Sequence, residues 1–269
     1  MQCLCAAYFS LVWLTQFYFS TILFSGCSFF LKRHPLYTCL AGYSIFFKQN
    51  NLMKKNFWYR NGLSIVFISL FILSLLAQIY FGWKEDLSEY QEQGRSLSIG
   101  DYLHSGHFIA ATFENFQSEF LQMALYVILT IFLRQIGSAE SKKLDGKEAV
   151  DREPKYAPDA PLAVKRGGWR LAIYKHSLSI AFLLLFFISW ALHLYGSYRA
   201  KMEENILQGK PLMSINEYIV EPTFWFETFQ NWQSEFLSVA SIVILTIFLR
   251  QKGSPESKPV DSPHTETGK

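Results

Sequence analysis

Charge is scarce in this chain. Only 17% of its residues are Asp, Glu, Lys or Arg, against about 25% in a typical soluble protein. Residues 1–31 carry no charged side chain. Cysteine is scarcer still. Cys3, Cys5, Cys27 and Cys39 are the whole complement, so the body of the chain has no disulfide and no thiolate metal site. The net charge of +3 is too small to imply a nucleic-acid partner. No phosphate-binding loop, dinucleotide fingerprint, zinc-helix motif or nucleophile elbow occurs. No enzyme activity, cofactor or metal is therefore expected.

What is abundant is apolar surface. Half of the residues are hydrophobic and 17% are aromatic. They cluster in runs of about 20 with almost no charge, the length that crosses roughly 30 Å of hydrocarbon. A soluble core has no use for runs that long. The expected partners are the lipid bilayer and then other membrane proteins or further copies of this chain.

One stretch occurs twice. Phe113 to Gln135 reads FENFQSEFLQMALYVILTIFLRQ, and Phe229 to Gln251 reads FQNWQSEFLSVASIVILTIFLRQ, with 17 of 23 positions identical. Tyr59 to Ile65 aligns with Tyr174 to Ile180, and Ser98 to Tyr102 with Ser214 to Tyr218. Each unit reads as span, polar loop, span. A unit with two spans returns the chain to the side it left, so the two copies share one orientation about an axis along the membrane normal. The fold class expected is an all-α membrane protein: a four-helix transmembrane bundle made from a duplicated two-helix unit, plus an extra N-terminal helix if the first run is used.

The boundaries follow. Residues 1–52 are a hydrophobic extension, read either as an extra transmembrane helix at about Ala6 to Leu31 or as a start assigned too early, before Met53-Lys54-Lys55. Repeat 1 covers 53–135, with spans at about 63–83 and 114–133. A linker at 136–170, rich in Lys and Pro, lacks the apolar residues to bury a core and is expected to be disordered. Repeat 2 covers 171–251, with spans at about 177–195 and 225–249. A polar tail at 252–269 is expected to be flexible. Gly137 is placed to cap the preceding helix. Lys and Arg concentrate before the first span, in the linker and in the tail. The positive-inside rule then puts linker and C-terminus in the cytoplasm and both loops outside.

Polar residues inside the spans are the only candidates for a site. Asn115, Ser118, Glu119 and Gln122 line one helical face, and Asn231, Ser234, Glu235 and Ser238 repeat it. At 1.5 Å per residue, Glu119 lies roughly 21 Å from the cytoplasmic end of its span, and Gln78 about 22 Å from the same side. His193 occupies the position of Gln78 in the second copy. Gln78, Asn115, Glu119, His193, Asn231 and Glu235 are therefore expected to form one intramembrane polar layer. Such a layer has two uses. It can fix helix register, each hydrogen bond contributing about 1 kcal/mol. It can also bind or pass an ion, proton or small solute. His104 and His107 near Asp101 are too few for a metal site and read as a solvated loop. The first use makes the chain a structural or interaction component of the bacterial envelope; the second makes it a small transporter or channel subunit.

Phe229-Gln230-Asn231-Trp232-Gln233-Ser234-Glu235-Phe236 and the run from Phe248 to Val260 carry a family resemblance. Over about residues 53–269 the chain resembles a family of bacterial multi-pass inner-membrane proteins grouped as a domain of unknown function. The resemblance implies location and helical fold, and it assigns no catalytic or binding residue.

Overall fold

A computed structural model describes residues 57–268. The N-terminal extension, with its expected helix at about Ala6 to Leu31, lies outside the described residues. The chain divides into two compact units, Met1–Ile68 and Ser69–Lys269. The described part of the first is the opening of helix α1 (Phe57–Glu92), where Asn61 Nδ2 donates to Phe57 O at 3.0 Å.

The second unit carries the remainder of α1, then α2 (Ile99–Leu103), α3 (Gly106–Phe132), α4 (Leu162–Arg166), α5 (Gly168–Lys175), α6 (Ser177–Gln208), α7 (Ile215–Tyr218) and α8 (Pro222–Phe248). No strand occurs among the described residues. The helix starts are chemically marked. Ser98 and Ser214 cap α2 and α7, each hydroxyl accepting a backbone N–H three residues on. Ser105 does the same for α3. Pro222 opens α8, where its missing N–H would have had no partner. Gly209 ends α6 in the left-handed conformation (φ 65°), its N–H and that of Lys210 reaching back to the last carbonyls. Gly137, expected to cap α3, does not. Leu133 is the C-cap, in extended conformation, and Gly137 (φ 81°) serves the turn that follows.

The long helices outrun their apolar spans. α1 continues to Glu92, α6 to Gln208, and α3 begins at Gly106 instead of near 114. Helical hydrogen bonds are local, so good helix formers such as Glu85, Leu87 and Glu89 carry the coil beyond the apolar run. The two polar loops are correspondingly shorter than their sequences suggested.

Three helices, α1, α6 and α8, are long and apolar enough to cross a membrane. The expectation was four. α3 has the length, but Asn115, Gln117, Glu119 and Gln122 dilute its apolar character. α8 has Ser238 where α3 has Gln122, and meets the criterion.

Burial is inverted relative to a soluble protein. The buried set is rich in Thr112, Gln117, Ser118, Ser189, His193 and Thr228. Meanwhile Leu73 (63% exposed), Phe187 (59%) and Leu237 (65%) face outward. Water would not tolerate such continuous apolar surface without another covering; hydrocarbon does.

The most intimate helix pairing joins α3 and α6. Gly106 lies against Ala200 and Gly196 against Ala110, so the two helices run antiparallel. A Cβ on Gly106 would stand 2.1 Å from Ala200 N, and one on Gly196 2.4 Å from Ala110 N. Small residues at four-residue spacing let helix backbones touch, which in lipid replaces the missing hydrophobic drive. α3 and α8 also pair. Asn231 donates to Glu114, Trp232 Nε1 to Gln117 Oε1 at 3.2 Å, and Gln122 Nε2 to Ser238 Oγ at 3.2 Å. The partners rise in number together, so these two helices are parallel.

The sequence shared after α3 and α8 folds into the same small turn twice. Arg134 and Arg250 each fold Nη1 back on the carbonyls of their own helix end. Gln135 N and Gln251 N donate to Ser141 Oγ and Ser257 Oγ at 3.0 and 2.9 Å. Composition suggested a loose tail, but the described tail is hydrogen-bonded. Lys258, 2% exposed, donates through Nζ to the carbonyls of Pro263, His264 and Glu266. Thr267 Oγ1 then accepts from Gly137 N at 2.9 Å.

Gly196→Ala should destabilise the folded protein by about 1–3 kcal/mol, the usual range for overpacking, because the atom it meets is backbone. Gly62→Ala, which meets nothing within 4 Å, should be close to neutral. Thermal unfolding in detergent separates the two.

Candidate functional site

The α3–α6 contact brings polar side chains together one turn further along each helix. Glu114 on α3, His193 on α6 and Glu227 on α8 converge. One ligand-type atom from each lies within 4.8 Å of the others. His193 is fully buried, and its Nε2 is 3.8 Å from Glu227 Oε2. Neither ring nitrogen of His193 has a hydrogen-bond partner. The ring leans on Phe224, with centroids 5.1 Å apart and planes at 33°. Phe224 is itself packed against Trp190 and Tyr218, so the imidazole plane is held. Asn231 on α8 donates to Glu114 Oε1 and to the backbone carbonyl of Glu227 on its own helix, so it supports the Glu114 carboxylate.

A cavity of about 300 Å³ opens onto this cluster from the loop end of the bundle. Glu114 and Glu227 line its floor, and Glu204, Glu221 and Lys201 line its sides. A neighbouring cavity of about 360 Å³ shares His107, Ala200 and Glu204 with it and adds Glu85, Asp86, Glu89 and Glu203. The loop end is thus a strongly acidic mouth that reaches Glu114 and Glu227, with His193 buried behind them.

The expected six-residue layer does not form as one layer. Gln78 Nε2 donates to Thr112 Oγ1 at 3.2 Å. Asn115 is exposed and donates to Ala111 O on its own helix. Glu119 and Glu235 lie near each other across α3 and α8 and do not line the acidic cavity. His193 and Asn231 do meet, around Glu114 and Glu227. Counting rise from each span end assumes that all helices start in one plane. Glu119 lies five residues, about 7.5 Å along the axis, from Glu114, and it is Glu114 that stands at the level of His193.

Nothing in the repeat marks Glu114 and Glu227. Their aligned positions in the other copy are Gln230 and Ala111, so neither belongs to the repeated stripe. A usable signal existed: Glu227 and Asn231 lie four apart, on one face of their helix. His107 also departs from expectation. It is not a free loop residue, because its Nδ1 is 2.6 Å from Asp86 Oδ1.

Residues 54–269 match the model of a domain of unknown function, DUF6766, and the chain belongs to that family. No curated protein and no solved structure matches it.

The Asp86 bond raises the His107 pKa above its ordinary 6.5, against the opposing effect of burial. A raised folded value means the bond adds stability fully below pH 6.5 and loses it as pH climbs through the raised value. NMR titration should show the His107 shift vanish in Asp86→Asn. The stability gap between the two proteins should close on the alkaline side.

Proposed function

We propose that this chain is a multi-pass protein of the bacterial inner membrane that acts as a structural or interaction component and not as an enzyme. Four spans, α1, α3, α6 and α8, form two like-oriented copies of one helical hairpin. The linker and C-terminus lie in the cytoplasm and the acidic mouth faces outside. α3 crosses as the inner helix of the bundle, since Thr112, Glu114, Gln117 and Gln122 make polar contacts with α1 and α8.

One observation carries this proposal: positions equivalent under the repeat touch each other, or make the same contact twice. Glu119 meets Glu235 and Gln122 meets Ser238, as expected on a twofold axis between parallel helices. Trp83 Nε1 donates to Leu97 O at 3.0 Å, and at the aligned positions Tyr198 OH donates to Met213 O at 3.1 Å. Tyr102 and Tyr218 are both buried after matching serine caps. The carboxyl pair lies near the axis and outside the acidic cavity, which favours the structural use of Glu119 and Glu235 over a conducting one.

Gln122→Cys with Ser238→Cys, in a background lacking the four native cysteines, should cross-link within one chain under mild oxidation. Reporter fusions near residue 150 and at the C-terminus should report the same side of the membrane. Opposite sides would end the proposal. Glu119→Gln with Glu235→Gln should leave ion or proton flux into proteoliposomes at background, as in the unmodified protein.

A further inference from the structure

We propose that Glu114, His193 and Glu227 bind a divalent transition-metal ion, best represented by Zn²⁺, at the floor of the acidic mouth. The inference rests on the bundle geometry and stands whether or not the chain has a scaffold role.

The donor set is the first support. One imidazole nitrogen and two carboxylate oxygens make a three-ligand site of the kind that leaves a position for water. Two carboxylates balance the charge of a divalent ion. The ligands come from three different helices, so binding would tie α3, α6 and α8 together. Ligand atoms around a tetrahedral Zn²⁺ at about 2.0 Å lie roughly 3.3 Å apart. The observed separations, up to 4.8 Å, close to that with small rotations of the glutamate side chains. Glu227 has room for this, with its side chain 36% exposed.

The second support is independent of the acidic cluster. His193 is fully buried with both ring nitrogens lacking a hydrogen-bond partner. A buried polar atom without a partner is destabilising by about 1–3 kcal/mol, and a metal ion supplies the missing partner. The Phe224 contact fixes the ring plane with Nε2 toward Glu227. Asn231 holds one oxygen of Glu114 and leaves the other for a ligand, the kind of support that orients metal-binding carboxylates.

The third is access. The cavity reaches two of the three ligands, Glu114 and Glu227, and Glu204 and Glu221 line it as well; acidic walls concentrate cations. The imidazole donor disfavours Mg²⁺ and Ca²⁺, which favour oxygen alone.

The test uses the full-length protein in detergent, stripped with chelator and titrated with Co²⁺, then with Zn²⁺ in competition. One equivalent of Co²⁺ should give visible d–d absorption that Zn²⁺ abolishes, and Zn²⁺ should raise the unfolding temperature. Glu227→Gln and Glu114→Gln, each checked for folding by size-exclusion profile, should weaken binding at least tenfold. Glu119→Gln with Glu235→Gln should bind as the unmodified protein does. Three results would overturn the site: no binding at millimolar metal, undiminished binding in both single variants, or an equal loss in the Glu119/Glu235 variant.

Discussion

Two helix backbones in contact set the geometry of the loop end. Where Gly106 meets Ala200 and Ala110 meets Gly196, no side chain separates α3 from α6. In water a hydrophobic interface would hold such helices. In lipid the tails are as apolar as leucine, so close packing and interhelical hydrogen bonds must do so. The contact also fixes register. One turn beyond Ala110 and Gly196, Glu114 and His193 are brought opposite each other, and no sliding of either helix is open while the glycines are engaged.

The same solvent argument explains why the interior is polar. Thr112, Gln117, Ser118, Ser189 and His193 are buried, while leucine, isoleucine and phenylalanine cover the outside. Each buried group needs a partner, and many have one: Gln78 reaches Thr112, and Trp232 reaches Gln117. Such bonds are individually modest, about 1 kcal/mol, but they are directional. They choose one packing among the many that greasy helices can adopt. Not every buried group has such a bond: both ring nitrogens of His193 and the Thr228 hydroxyl go without one.

Symmetry and its breaking divide the molecule. Along α3 and α8 the like positions meet, and the turns after Arg134 and Arg250 form the same hydrogen bonds. At the loop end the two copies differ. Gln78 in the first becomes His193 in the second, and Glu114 and Glu227 face Gln230 and Ala111 in the alignment.

Much of this was legible without coordinates. Apolar run length marks α1, α6 and α8, because hydrocarbon thickness sets a minimum that local composition either meets or does not. The shared stretch marks α3 and α8 as equivalent, and serine before Asp101 and Glu217 marks the caps, because capping is a matter of three adjacent residues. The polar layer was legible only as a list of residues. Which of them touch depends on where each helix begins, how far it extends past its apolar run and how closely neighbours approach, and these are relations between distant segments. His193 and Asn231 were named from spacing alone. That they meet Glu114 and Glu227, and not Glu119 and Glu235, was decided by an offset of about a turn and a half along α3. Only the packed bundle contains that offset, because it is set by two glycines meeting a backbone on another helix.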